Sequence, residues 1–154
     1  MTDAEHDRGD VSEAARVIGL QIHVLNASTS GEIDAAFATL ARERVDALFV
    51  AGDVFFGSRR VQIVTLAARD RIPAAYPGRD NVAAGGLMSY ATDLGETLRQ
   101  VGVYTGKILK GAKPADLPVV QSTKFEFVIN LQTAKLLGID VPETLLATAD
   151  EVIQ

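Results

Sequence analysis

Asp53 stands in the run Gly52-Asp-Val-Phe-Phe-Gly57, directly after the apolar stretch Asp46-Ala-Leu-Phe-Val-Ala51. A carboxylate beside Phe55 and Phe56 suits a cationic group carried on an apolar or aromatic body. The competing reading is that Asp53 caps the next helix while the two rings turn into the core. A second candidate loop, Tyr76 to Asn81, carries Tyr76, Arg79 and Asp80. The guanidinium there could fork a carboxylate, or it could form a solvated pair with Asp80. The third loop, Asn26-Ala-Ser-Thr-Ser-Gly31, sets hydroxyls before a helix. It could hold an anion or a polar ligand group, or Ser28 or Ser30 could simply cap that helix.

Catalytic patterns are missing. The sequence has no P-loop run, no dinucleotide-binding glycine fingerprint after a strand and no nucleophile elbow. It has no Cys and two His, which removes thiolate chemistry and Cys-ligated zinc. His6 lies in a polar lead. His23 lies mid-strand between Ile22 and Val24, where a structural role is expected. Asp53 after a buried strand also resembles the phospho-acceptor of a receiver domain. That site needs further acids at the end of an earlier strand, and here the earlier strand ends Val24-Leu25-Asn26. No enzyme, cofactor or metal is expected.

The elements that must position these loops follow from periodicity. Apolar–polar alternation makes Leu20–Leu25 a strand. The unbroken run Asp46–Ala51 reads as a strand covered on both faces. Ile72–Tyr76 and Gly86–Tyr90 are short strands, and Val119–Gln121 and Lys124–Ile129 follow. Helical spacing marks Ser12–Ile18, then Ile33 to Ala41, then Val61 to Ala68, with Ser58 as a cap. The longest helix opens at Asp93 and runs to about Lys110, with Leu94, Leu98, Val101, Tyr104, Thr105, Ile108 and Leu109 along one face. Asn130 caps Leu131–Leu137, Gly138 stops it, and Pro142–Leu146 forms a last turn. Strands alternating with helices through short loops predict an α/β fold: a Rossmann-like, mainly parallel sheet with helices on both faces. Ligands of such sheets bind beyond the carboxyl ends of the strands, where the three loops lie.

Composition sets outer limits. The chain has 154 residues, 47% apolar and 23% charged, with a net charge of −5. That is an ordinary globular balance, without the basic footprint of a nucleic-acid partner. No apolar run is long enough to span a membrane, so no membrane insertion is expected. The acidic, polar start is the opposite of a secretory signal.

Several stretches resemble one family. They are Gly85-Gly-Leu-Met-Ser-Tyr90, Lys107-Ile-Leu-Lys-Gly111, Ala112-Lys-Pro-Ala-Asp-Leu-Pro118, Lys124-Phe-Glu-Phe-Val-Ile-Asn130, Thr133-Ala-Lys-Leu-Leu-Gly138 and Leu146-Ala-Thr-Ala-Asp-Glu-Val-Ile153. They are similar to the C-terminal half of ABC transporter substrate-binding proteins, the group that includes binders of tryptophan-like amino acids. The resemblance runs from about residue 12 to the end. It implies one lobe of a type I periplasmic-binding-protein-like fold, with ligand held between two lobes and handed to a membrane permease. It also implies that Asp53 and the loop Tyr76 to Asp80 face the cleft, with Tyr90 near the hinge. The family is periplasmic and its members are about twice as long. This chain lacks their signal peptide, most of the first lobe and the second lobe's opening strand, so a cytoplasmic location or a fragment is expected.

The expected organisation is a polar lead at 1–10, a ligand-binding lobe at 11–111, and a return segment at 112–154 that packs on a partner lobe or chain. The expected function is non-catalytic binding of a small molecule, an amino acid or related carboxylate. Asp53 would take an ammonium or hydroxyl, Arg79 a carboxylate, and Phe55, Phe56 and Tyr90 the apolar body. The alternative is a truncated, self-associating structural or regulatory module without a transport ligand. The apolar return segment, with no first lobe to cover it, leads to the expectation of a homodimer burying the region Phe125–Leu137.

Overall fold

A computed structural model of the chain describes residues 3–120 and 123–154. Its centre is a five-stranded sheet in the order β1-β2-β3-β4-β5. The strands are β1 (Leu48–Phe49), β2 (Ala74–Tyr76), β3 (Met88–Thr92), β4 (Phe125–Asn130) and β5 (Glu151–Ile153). All neighbours are parallel except β3 and β4, which run antiparallel with Met88 opposite Ile129 and Thr92 opposite Phe125. The mainly parallel α/β architecture read from the alternation of elements is therefore present.

Before β1 come α1 (Asp3–Val17) and α2 (Ser30–Glu43). After it come α3 (Val54–Ser58) and α4 (Arg60–Arg69), and then α5 (Arg79–Ala83) beyond β2. The main core lies between the sheet and helices α2 and α4. Ile33, Phe37 and Leu40 of α2 meet Ile63, Val64, Leu66 and Ala67 of α4 over Val50, Ala74 and Tyr76. Each large apolar side chain buried this way contributes about 1.5–3 kcal/mol.

Several local expectations change. Helix α1 begins at Asp3, not Ser12; an acid-rich lead suits a helix N-terminus as well as it suits a frayed end. Leu20–Leu25 is not a strand. Its alternation is real, but a strand exists only through a paired neighbour, and the sheet ends at β1. Leu20 and Val24 are 63% and 45% exposed. Thr29 caps α2, accepting from the Glu32 amide, rather than Ser28 or Ser30. Ser58 closes α3, and its hydroxyl donates to the Phe55 carbonyl. Of the expected strand Val119–Gln121, Val119 and Val120 belong to no strand and Gln121 lies outside the described residues.

The return segment joins its own sheet. Phe127, Val128, Ile129 and Ala134 are buried within the chain, because β4 pairs along its length with β3 and carries β5 on its far side. The surface expected to drive a dimer through Phe125–Leu137 is thus largely covered by the chain itself. Beyond β4 lie α7 (Leu131–Leu137), capped by Asn130 and ended by Gly138 at φ 73, and α8 (Glu143–Leu146).

Between β3 and β4 the chain leaves the sheet through α6 (Leu94–Leu109) and a single 3-10 turn at Pro114–Asp116. Asp93 caps α6 and binds the Lys124 ammonium at 2.6 Å. Arg99 grips both carboxylate oxygens of Glu96, at 2.7 and 2.6 Å. No residue of α6 is buried.

Two outcomes test this packing. A Cβ on Gly86 would sit 2.6 Å from the Tyr76 ring and 2.8 Å from the Asn81 carbonyl. Gly86→Ala should therefore cost about 1–3 kcal/mol in denaturant unfolding, the usual cost of overpacking; a neutral result would show that ring and carbonyl yield freely. The Arg99 guanidinium, and then the Gln100 amide, lower Glu96 from 4.5 to about 2. A lowered carboxylate stabilises above its unfolded value and loses that contribution as pH falls through the folded value. The protection of the amides in the first turn of α6, taken relative to their intrinsic exchange rate at each pH, should fall between pH 4.5 and 2, and unchanged protection would contradict the pairing.

Candidate ligand-binding site

Strands β1 and β2 are parallel, so the loops that follow them emerge at the same sheet edge. Asp53 leaves β1 there as the cap of α3: its Oδ1 accepts from the amides of Phe55 at 2.7 Å and Phe56 at 3.3 Å. Its second oxygen has no protein donor among the described residues, and the residue is exposed. Phe55 and Phe56 are half-buried against the core, with ring centroids 5.8 Å apart and planes tilted by 50°. The two readings of this loop thus coexist. The carboxylate caps and the rings pack, yet one oxygen stays open.

Arg79 and Asp80 sit at the start of α5, at the same edge. Neither charge is free. Arg79 donates from Nε and Nη2 to the two oxygens of Glu151, both at 2.7 Å, and that carboxylate raises the guanidinium's pKa. Asp80 accepts from Arg60 at 2.8 Å. The carboxylate expected in the Arg79 fork is therefore supplied by the chain's own β5, and the pairing with Asp80 gives way to Arg60. Tyr76 is not a cleft residue: it is 2% exposed and packs in the core. Burial pushes its phenol up to about 12.

Tyr90 is 64% exposed. Its ring stacks on Phe125 with centroids 5.4 Å apart and planes within 5°, and meets Phe127 edge-on at 6.1 Å. Phe125 is the residue that sequence reasoning missed. The i, i+2 spacing of Phe125 and Phe127 puts both rings on one strand face, but only the β3–β4 register brings that face to Tyr90. Strands β1 and β3 flank β2, so the strand that leads into the Asp53 loop and the strand that carries Tyr90 are two inter-strand spacings, roughly 10 Å, apart.

The hydroxyl loop before α2 is occupied internally. Glu32 accepts from the Ser28 amide at 2.6 Å, and Ser30 donates to Gln62 at 2.9 Å. His23 lies 3.2 Å from Glu43 at the end of α2. An open depression of about 470 Å³ lies beside α7, lined by residues such as Ala134, Ile139 and Leu146. It shares no residue with the carboxyl-edge loops. Among the described residues no cluster of three or more metal-ligating side chains occurs, and no helix is long and apolar enough to cross a membrane.

The fold defines a class, a Rossmann-like α/β lobe of the periplasmic-binding-protein kind. The chain belongs to the ABC transporter substrate binding protein family, whose model matches residues 9–153. It superposes on the ABC domain of a Streptococcus pneumoniae protein solved in complex with L-Trp, with TM-score 0.87 and 29% identity over 97% of this chain and 52% of that one. A conserved domain protein from Vibrio cholerae gives TM-score 0.88 and 25% identity over 97% and 50%. A tyrosine-binding protein of Clostridioides difficile is 27% identical over 110 residues, covering 71% of this chain and 32% of the relative. The chain thus spans about half the length of the solved relatives and a third of the curated one.

The cap geometry yields a prediction. Asp53→Ala removes the acceptor for two amides and should cost about 0.5–2 kcal/mol. Asp53→Asn, which caps equally well, should leave unfolding almost unchanged. Equal destabilisation by both variants would show that charge, not the cap bond, holds α3.

Proposed function

We propose that this chain supplies one wall of a binding cleft for an aromatic amino acid. The observation that carries the reading is one sheet bearing both a carboxylate with an open oxygen, Asp53, and an exposed aromatic stack, Tyr90 on Phe125. Asp53 takes the ligand's ammonium in a charge-assisted hydrogen bond. Phe55 and Phe56 shield that contact from water, and the Tyr90–Phe125 pair offers its face to the ligand ring. Arg79 and Asp80 act indirectly, holding the loop through Glu151 and Arg60. Tyr76 supports the wall from the core. The relatives named for L-Trp and tyrosine support this ligand class. Binding involves no bond-breaking step, and with a second lobe the assembly delivers its ligand to an ABC permease.

Thermal unfolding with L-tryptophan, L-tyrosine and L-glutamate, each up to millimolar concentration, tests the reading. Ligand at 100 times its dissociation constant stabilises by about 2.7 kcal/mol, and each kcal/mol raises Tm by about 2–4 °C in a domain of this size. The aromatic amino acids should raise Tm and glutamate should not. Asp53→Asn should abolish the rise while keeping the unliganded Tm. Absence of a rise with both aromatic amino acids, or a full rise in Asp53→Asn, overturns the proposal.

A further inference from the structure

A zwitterionic ligand needs a partner of each sign. Asp53 keeps one carboxylate oxygen open, and the two arginines described so far cannot supply the matching cation. Arg60 donates from Nε to the Gly57 carbonyl at 3.1 Å and from Nη1 to Asp80 at 2.8 Å. Arg79 is committed to Glu151. Arg59, at the junction of α3 and α4, is not committed. Among the described residues no carboxylate forms an ion pair with it.

What holds the Arg59 side chain is Phe55. The guanidinium carbon Cζ lies 6.0 Å from the centroid of that ring, the reach of a cation–π contact. Residues four apart on a helical turn share a face, and the Arg59 amide donates to the Phe55 carbonyl at 3.1 Å. Phe55 is also the residue whose amide Asp53 accepts, at 2.7 Å. One half-buried aromatic residue thus carries the half-open carboxylate at its backbone and the unpaired guanidinium at its ring. Both charged side chains are exposed.

We propose that Arg59 is the specificity residue for the ligand's carboxylate, in the part expected of Arg79 from sequence. This rests on the reading of Asp53 given above. The guanidinium donates two parallel hydrogen bonds to the carboxylate, while Asp53 accepts from the ammonium. The ring beneath Arg59 restricts its side chain before the ligand arrives, so less freedom is lost on binding. An aromatic amino acid then differs from its decarboxylated amine by one bidentate contact, and the wall selects the zwitterion.

The chain contains no Trp, so indole emission in a titration comes from the ligand alone. Fluorescence anisotropy of L-tryptophan and of tryptamine, each titrated with the protein, reads both affinities. The wild type should bind L-tryptophan about tenfold more tightly than tryptamine, the low end for a charge-assisted bond because the guanidinium is exposed. Arg59→Gln should bring that ratio close to one by weakening L-tryptophan alone, with the unliganded Tm held. Arg59→Lys, which keeps the charge and loses the fork, should fall between the two. A wild type that binds both ligands equally overturns the assignment. So does an unchanged ratio in Arg59→Gln, or an equal loss for both ligands; in each of these cases binding by the wild type leaves the Asp53 reading standing. A wild type that binds neither ligand removes the Asp53 reading and this one with it.

Discussion

The antiparallel pairing of β3 with β4 holds the rest of the molecule in place. Five residue pairs, from Met88–Ile129 to Thr92–Phe125, bring a strand from late in the chain into the sheet. Val128 becomes fully buried and Ser89 nearly so, its hydroxyl left without a partner. Through β4 the sheet gains β5, and through β5 the edge loop gains its anchor, the grip of Arg79 on Glu151. The stack of Tyr90 on Phe125 is another product of that register. Backbone hydrogen bonding therefore sets the positions of both the charged and the aromatic candidates.

Local signals were legible where a residue acts on its near neighbours. Asn130 and Asp93 as caps and Gly138 as a left-handed stop depend on contacts a few residues apart, and they read correctly from the sequence. The run Asp46–Ala51, expected as a strand covered on both faces, is strand only at Leu48–Phe49, an edge with Phe49 58% exposed. The readings that failed depend on distant partners. Leu20–Leu25 has a strand's alternation, but no neighbouring strand pairs with it. Arg79 has the chemistry of a carboxylate fork, and its carboxylate is 72 residues away in sequence. Tyr76 ends its strand like a cleft residue, yet α4 and Gly86 enclose it. The carboxyl edge as a location followed from the α/β pattern; which side chains remain open there did not.

At Asp53 the proposed binding role would share one group with a structural one. A carboxylate has two oxygens and about four acceptor positions. The cap uses Oδ1 twice and fixes the side chain's direction. Fixing one oxygen orients the other at no further entropic cost when a ligand arrives, which is the advantage of preorganisation. The half-buried rings that follow keep the same turn rigid.

Seen from the sheet, residues 93 to 124 are the loop of an oversized β-hairpin. Its base is latched twice, by the Asp93 amide on the Lys124 carbonyl at 3.0 Å and by the Lys124 ammonium on the Asp93 carboxylate. The entropy of closing such a loop grows only logarithmically, about 0.6 kcal/mol for each doubling of length. The sheet is therefore nearly indifferent to what the loop contains. Residues within α6 are free to change in step with whatever surface the helix meets, while those at the latch answer to the sheet. One chain thus carries two separate sets of constraints, divided at Asp93 and Lys124.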